Sequence, residues 1–203
     1  DRRQLRNQNV RVIRYKQSAT QGRNMVISSQ APLGLLRAMV RARLDDLNLG
    51  ISDGELRALS DKLIDTANDV SGDIVLRAAK RGEAASELIG VVLSRYLASR
   101  ELKANRHIGW YFLDDYAAWL GAREETQADI LALAPCEKAD GRLELTILVT
   151  EAKYVSAGIL ATKRKESVRQ VRDTVKRIRE ALLGVGERLD REAWRSRLAD
   201  LVP

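Results

Sequence analysis

Hydrophobic and polar positions follow two different spacings along the chain, and the change of spacing marks its organisation. The pattern predicts two short strands over residues 10–16 and 24–29, and the first of them alternates apolar side chains with arginine. Residues 31–80 follow helical spacing, and Ser52, with a glutamate three positions later, is typical of a capping box at a helix start. The pattern therefore predicts a strand-plus-helix extension over residues 1–80.

The remaining residues, 81–203, mix strands with helices. In chain order the pattern predicts a helix over 83–103, strands over 129–134 and 143–154, and helices over 163–183 and 188–199. The 143–154 strand is apolar on one face and nearly so on the other, so we expect it to be central and well buried. Residues 108–120 are aromatic and partly helical in pattern, which disfavours a regular strand there. We expect the aromatic side chains of this segment to pack in the core, namely Trp110, Tyr116 and Trp119.

The 163–183 helix carries three stripes of different character. An apolar stripe predicts the face that packs on the core: Val168, Val171, Val175, Ile178 and Leu182. A basic stripe lies beside it: Arg169, Arg172, Lys176 and Arg179. The opposite flank carries Ser167, Gln170 and Thr174. We expect this flank to face a functional site and the basic stripe to meet phosphates, with a solvated helix face as the alternative.

Composition limits the chemistry of the chain. Its 203 residues include one cysteine, Cys136, and one histidine, His107. An internal disulfide, a multi-cysteine zinc site and any mechanism that needs two histidines are therefore excluded. No stretch approaches the roughly 18 apolar residues of a membrane span, and the polar, basic start lacks the pattern of a signal peptide. We expect a cytoplasmic protein with no membrane partner.

Positive charge is concentrated in two segments. The formal net charge is +7, and residues 1–23 and 163–179 each carry a surplus of six basic side chains over acidic ones. Such a surplus favours an anionic partner such as nucleic acid, although a basic protein without such a partner is the plain alternative. The candidate DNA contacts are Lys163, Arg164, Lys165, Arg169, Arg172, Lys176 and Arg179.

Two carboxylates and a lysine converge if the strands on either side of Asp140-Gly141 form an antiparallel hairpin. With the turn centred on Asp140, facing residues have numbers that sum to 280, so Asp129 lies opposite Glu151. Side chains two positions apart share a face of a strand, so Lys153 joins them.

Facing carboxylates repel each other and raise each other's pKa. A divalent cation removes that conflict, and oxygen ligands with retained waters suit Mg²⁺, for which Mn²⁺ is a substitute. A water activated by the cation, next to a lysine ammonium, suits hydrolysis of a phosphodiester. Asp114 and Asp115, which are typical of helix N-caps, are a minor alternative source of ligands. A salt-bridge cluster at a sheet edge is the alternative for the whole group.

Asp129 followed by Glu151-Ala152-Lys153 resembles the D…(D/E)-x-K signature of the restriction-endonuclease-like PD-(D/E)XK nucleases. The resemblance implies that Asp129 and Glu151 bind Mg²⁺ and that Lys153 is catalytic. Ala128 stands where the family often has the proline of its first motif.

Two further positions are similar to the branch that contains archaeal Holliday-junction resolvases and methyl-directed restriction nucleases. Glu87 resembles the acidic residue that the first core helix adds to the metal site, and Gln170 resembles a glutamine that faces the active site. The resemblance covers about residues 82–183. The chain is also similar to nuclease modules of bacterial phage-restriction systems, some of which are fused to DNA translocases.

The resemblance implies an α/β fold, with a restriction-endonuclease-like core (a mixed central sheet flanked by helices) over 81–203 and a mostly helical N-terminal extension. It implies a Mg²⁺-dependent DNA endonuclease of a bacterial restriction or anti-phage system, with a translocase, an ATPase or another defence subunit as partner. Cutting both strands needs a homodimer or two binding events. The alternatives are a non-catalytic nucleic-acid-binding or assembly subunit, and a docking module in which residues 1–80 bind a larger complex.

Overall fold

The computed structural model describes residues 12–17, 24–30, 33–80, 84–102, 107–116, 127–155, 157–185 and 189–203. These residues form a mixed α/β structure that is mostly helical and includes a three-stranded antiparallel sheet. The chain divides into two compact units, Asp1–Leu93 and Ser94–Pro203, and the division falls inside one helix. None of the helices in the described ranges is both long enough and apolar enough to cross a membrane.

The first unit contains a two-stranded hairpin and a series of helices. Its elements are β1 (Val12–Gln17), β2 (Asn24–Ser29), α1 (Gly34–Asp45), α2 (Asp53–Val70), α3 (Gly72–Lys80) and the start of α4 (Ala84–Glu101). The strands pair antiparallel, with Val12 opposite Ser29. Both predicted strands and the mostly helical stretch that follows are therefore confirmed over the described residues 12–17, 24–29 and 33–80. Most of the basic N-terminal segment lies outside the described residues.

The start of α2 shows the local chemistry that begins a helix in this unit. The Ser52 hydroxyl accepts a hydrogen bond from the Glu55 N–H at 3.3 Å, and the Glu55 carboxylate accepts one from the Ser52 N–H at 2.8 Å. The predicted capping box is confirmed, because both reciprocal bonds are present. Further along, α2 buries Leu56, Leu63 and Ile64.

The second unit is built on a three-stranded antiparallel sheet in the order β3-β4-β5. Its elements are the end of α4, β3 (Gly109–Phe112), β4 (Ile130–Glu137), β5 (Leu143–Thr150), α5 (Leu160–Leu183) and α6 (Arg191–Ala199). Ile130 lies opposite Thr150, and facing numbers sum to 280 along the whole β4–β5 pair, as predicted. The turn closes when the Gly141 N–H donates to the Lys138 carbonyl at 2.9 Å. Gly141 has a φ of +78°, in the left-handed region that favours glycine.

The central strand of this sheet is β4. The predicted strand over 143–154 is confirmed for residues 143–150, but its predicted central, well-buried position is wrong. Residues 130–134 of β4 are all buried, and β4 pairs on both sides. Within the described part of the chain, β5 pairs only with β4, and residues 145–150 are half-buried. Strand β5 also ends at Thr150, so Glu151 and Lys153 follow it.

Two hydrophobic clusters on opposite faces of the sheet explain why β5 is apolar on both sides. The first cluster includes residues of β4, α5 and α6: Leu131, Leu133, Ile178, Ala181, Trp194 and Leu198. Ile147 and Val149 of β5 pack against it. Leu148 packs against the second cluster, which includes Leu102 and Ala132. A strand can therefore be apolar on both faces without lying at the centre of its sheet.

A short strand, β3, occupies part of the aromatic segment, where the pattern disfavours one. Phe112 is fully buried, and Trp110 is half-buried. A 3-10 helix, Leu113–Tyr116, follows directly. Neither element is long enough to show a periodicity of its own, which is why the sequence pattern is ambiguous here. Tyr116 packs against the first cluster, and Trp119 lies outside the described residues.

The predicted apolar stripe of α5 is confirmed in part, because Val171 and Leu182 pack against the first cluster. Ile178 is buried as predicted, but Val168 and Val175 are 49% and 44% exposed. Thr174 and Ala181 are buried instead. A polar side chain lies on the buried face because its hydroxyl has a backbone partner, described below.

Candidate active site

Asp129 lies immediately before β4, where three hydrogen bonds fix its position. Its N–H donates to the Thr150 carbonyl at 3.1 Å, its carbonyl accepts from the Leu113 N–H at 2.8 Å, and its Oδ2 accepts from the Ala152 N–H at 2.9 Å. The last bond holds the segment after β5 against the start of β4. The structure therefore brings Asp129 together with residues 151–153.

Glu151 follows β5, and its side chain is only 1% exposed. Lys153 Nζ lies 2.5 Å from its Oε1 as an ion pair, but neither carboxyl oxygen accepts a hydrogen bond of normal geometry. Burial, reinforced by repulsion from Asp129, raises the pKa of Glu151 from its ordinary 4.5 to about 7. This carboxyl therefore gains or loses its proton near neutral pH.

The pKa values of Asp129 and Lys153 are also raised, but the causes of the two increases differ. Burial raises the pKa of Asp129 against the lowering effects of the Ala152 N–H and Lys153, and the charge of Asp114 adds to the increase. Burial opposes the ammonium form of Lys153, but nearby carboxylates, that of Glu151 first, raise its pKa above the ordinary 10.5. The cluster thus holds two buried carboxyls that repel each other and one permanent cation that offsets one charge.

Asp114 and Gln127, which are not part of the D…(D/E)-x-K signature, border this cluster. Gln127 is buried, and its Nε2 donates to Asp114 Oδ1 at 2.9 Å. Gln170 Nε2, from α5, reaches the Gln127 carbonyl at 3.4 Å. The sequence pattern indicates Asp114 only as a minor alternative ligand. No motif marks Gln127, and the one signal available is its position two residues before Asp129.

Helix α5 contacts the site through the flank opposite its basic stripe. The Thr174 hydroxyl accepts a hydrogen bond from the Ala128 N–H at 3.0 Å, and Gln170 bonds to the preceding residue. Thr174 is 2% exposed. Both contacts agree with the predicted direction of this flank, and they anchor the segment that leads into Asp129.

The anchoring bond can be tested by substitution at Thr174. We expect Thr174→Val to lower the free energy of unfolding by about 1–3 kcal/mol, because the buried Ala128 N–H loses its acceptor. Urea denaturation measures the change. Thr174→Ser keeps the hydroxyl and is the matched control. An unchanged stability of the valine variant would contradict the assigned role of the hydrogen bond.

Glu87 lies in the first unit, in the first turn of α4. Its Oε1 accepts a hydrogen bond from Arg77 Nη2 at 2.7 Å, and the two side chains are 34% and 30% exposed. Its assignment as a metal ligand stays a prediction.

The candidate DNA contacts on α5 lie on an exposed surface, with one exception. Lys163 is half-buried and pairs with Glu166 at 2.7 Å. Lys176 approaches Glu180 at 3.8 Å, and Arg169 is exposed. Four members are exposed and make no ion pair with any described residue: Arg164, Lys165, Arg172 and Arg179.

The carboxyl pair has the donor chemistry of a divalent-cation site. Mg²⁺ prefers oxygen ligands and keeps several of its waters. Glu151 brings two buried oxygens without a hydrogen bond of normal geometry, and Asp129 adds a second carboxylate. In the described ranges, no three acidic, histidine or cysteine side chains form one metal-binding group.

Comparison with known proteins gives no match to a family model, to a curated protein or to a solved structure. The chemistry of the site therefore rests on its own geometry.

Proposed function

We propose that the chain is a Mg²⁺-dependent DNA endonuclease that hydrolyses phosphodiester bonds at the cluster of Asp129, Glu151 and Lys153. The observation that carries the proposal is the buried Glu151 carboxyl beside Asp129. Two such carboxylates are unfavourable in ionised form unless a cation lies between their oxygens. The hairpin register and the D…(D/E)-x-K resemblance support a restriction-endonuclease-like core for the second unit.

Each residue of the cluster has a different role in the proposed hydrolysis. Asp129 and Glu151 would hold the cation, which when bound supplies positive charge to phosphate oxygens and makes water more acidic. Hydrolysis joins the oxygen of one water to phosphorus and breaks a P–O ester bond, and the departing oxygen takes up a proton. The Lys153 ammonium offsets the charge that builds on the phosphate oxygens. Gln170, held on the Gln127 carbonyl, is a positioning residue.

The exposed basic side chains of α5 would bind the DNA backbone. We expect Arg172→Ala combined with Arg179→Ala to weaken DNA binding and to reduce the salt dependence, with the slope of log K against log salt falling by about 2. Fluorescence anisotropy over a salt series measures this slope. Arg197→Ala, an exposed arginine on α6, is the control. An unchanged slope in the double variant would remove α5 from the DNA interface.

The proposed activity is tested by nicking of supercoiled plasmid with Mg²⁺ or Mn²⁺, at the roughly millimolar concentrations that fill weak oxygen sites, and with EDTA. We expect cutting only with the metal, and loss of cutting in Glu151→Ala and Lys153→Ala. DNA binding without cutting or metal binding would favour the non-catalytic subunit instead. Metal binding without cutting would point to an enzyme that awaits activation by a partner.

The biological setting stays a prediction, which is based on the family resemblance alone. It includes a bacterial restriction or anti-phage system and a translocase, an ATPase or another defence subunit as partner. A homodimer is also a prediction, and light scattering with and without DNA tests it. A strictly monomeric species in both conditions would contradict it.

A further inference from the structure

An open cleft lies between the second half of α4 and the end of β5, within the second unit. Its volume is about 590 Å³. The residues that line it are Ser94, Leu97, Ala98, Arg100, Glu101, Leu148, Val149, Thr150 and Glu151. The cleft therefore reaches the residue that carries the proposed metal site, from the side of α4.

Polar groups without partners are present along this cleft. The Thr150 hydroxyl is buried and has no hydrogen-bond partner among the described residues. Arg100 is exposed, and its guanidinium forms no ion pair with any described residue. Glu151, whose buried carboxyl pairs with Lys153, borders the cleft at its end. The exposed Arg100 guanidinium is therefore open to a ligand beside the proposed metal site.

The remaining wall of the cleft is apolar. Leu97 is 59% exposed, although it lies on a helix whose earlier residues Leu88 and Val91 are fully buried. Leu148, which packs against the cluster of Leu102 and Ala132, forms the facing wall. An anion-binding guanidinium next to an apolar wall matches a nucleotide unit, which joins an anionic phosphate to the apolar faces of a sugar and a base.

The size of the cleft restricts the ligand further. Pockets that enclose one small molecule have volumes of about 300–1,000 Å³, and the volume of this cleft lies in the range that suits one nucleotide unit. Glu101 also lines the cleft, and its carboxylate repels a phosphate. The phosphate would therefore lie against Arg100, and the base or sugar against Leu97.

We propose that this cleft binds an unpaired nucleotide next to the phosphate that is cut, and that Arg100 contacts its phosphate. The inference rests on the proposed nuclease function and names its substrate class: DNA in which an unpaired strand adjoins a duplex. The duplex lies along the basic stripe of α5, and the unpaired strand enters the cleft beside Glu151.

The test compares two fluorescent DNA probes that share one duplex sequence, one blunt and one with a single-stranded extension. Anisotropy is measured in EDTA for the full chain, for Arg100→Ala, for Leu97→Asp and for the control Arg197→Ala. We expect the wild type to prefer the extended probe, and Arg100→Ala to weaken its binding by about tenfold, as the loss of one charge-assisted hydrogen bond predicts. We expect Leu97→Asp to remove the preference, and blunt-duplex binding to change less than twofold in either variant.

Three results would overturn the inference. They are equal binding of both probes by the wild type, an unchanged preference in both cleft variants, or the same loss in Arg197→Ala as in Arg100→Ala. Because EDTA prevents metal-dependent cutting, this result is independent of the nuclease proposal. Plasmid nicking and calorimetric titration in Mn²⁺ with the same preparations distinguish the two proposals. Cutting without a probe preference rejects the cleft alone, and a probe preference with neither cutting nor Mn²⁺ binding rejects the nuclease alone.

Discussion

Glu151→Gln is expected to reduce Mg²⁺-dependent nicking by at least about a hundredfold, the scale at which removal of one electrostatic group in an active site acts. The amide keeps the size of the side chain but cannot carry the negative charge that a hard cation requires. Lys153→Met is expected to reduce nicking on the same scale, because it removes the ammonium that pairs with Glu151 and that would offset charge on the phosphate. The two variants differ in one respect: the methionine variant keeps both carboxylates and therefore binds the cation.

The matched control for Glu151→Gln is Glu144→Gln. Glu144 lies near the other end of β5, is 54% exposed and pairs with Lys138 at 3.0 Å. The same chemical change there removes a surface ion pair, which contributes about 1 kcal/mol or less to stability. Nicking by the control should match the wild type. Full activity of Glu151→Gln, or an equal loss in Glu144→Gln, would contradict the assignment of the site.

The second large effect is a loss of stability as pH rises. The pKa of Glu151 is about 7 in the folded chain and about 4.5 in the unfolded chain, so the folded state binds the extra proton between these values. The free energy of unfolding should therefore fall as pH rises from about 4.5 to about 7, by roughly 3 kcal/mol. The raised pKa of Asp129 acts in the same direction. The raised pKa of Lys153 makes the free energy of unfolding depend on pH only above 10.5, so it does not affect this range.

A cation at the site reverses this loss because it binds the ionised carboxylates. We expect Mn²⁺ to raise the melting temperature at pH 8 and to have little effect at pH 5. Glu151→Gln should flatten the pH dependence and remove the effect of Mn²⁺. Urea denaturation across the pH range and thermal melts measure both quantities. A wild-type stability that rises between pH 5 and 7 would contradict the assigned burial of Glu151.

The hairpin register is the part of the fold that the sequence predicts most directly. A left-handed turn residue, Gly141, fixes where the chain reverses, and the strand period of two then fixes which residues face each other. That register brings Asp129 near Glu151 before any tertiary contact is known. The end of β5 at Thr150 is not predictable in this way, because the bond from the Ala152 N–H goes to a side chain, not to a neighbouring strand.

The position of β5 in its sheet and the buried face of α5 depend on contacts between distant segments. Apolar faces on β5 predict burial, but they do not distinguish a central strand from an edge strand with a cluster on each face. On α5, the valines at 168 and 175 are exposed and Thr174 is buried. The reason is the Ala128 N–H, which is 46 residues away in the sequence and requires an acceptor.

The residues of the candidate site also differ in whether the sequence predicts them. Asp129, Glu151 and Lys153 follow from local spacing and hairpin register. Asp114 and Gln127 join them through a side-chain hydrogen bond across 13 residues, which no periodicity records. Neither is part of the signature, although Asp114 contributes to the raised pKa of Asp129.

The proposed site is a pair of carboxylates, Asp129 and Glu151, that binds a divalent cation, and calorimetric titration with Mn²⁺ at pH 8 measures this binding. The wild type should bind Mn²⁺ with a dissociation constant in the millimolar range or tighter, Lys153→Met should also bind, and Glu151→Gln should not. Metal binding does not depend on activation by a partner, so the result applies even to a latent enzyme. Absence of binding by the wild type, or equal binding by Glu151→Gln, would contradict the account.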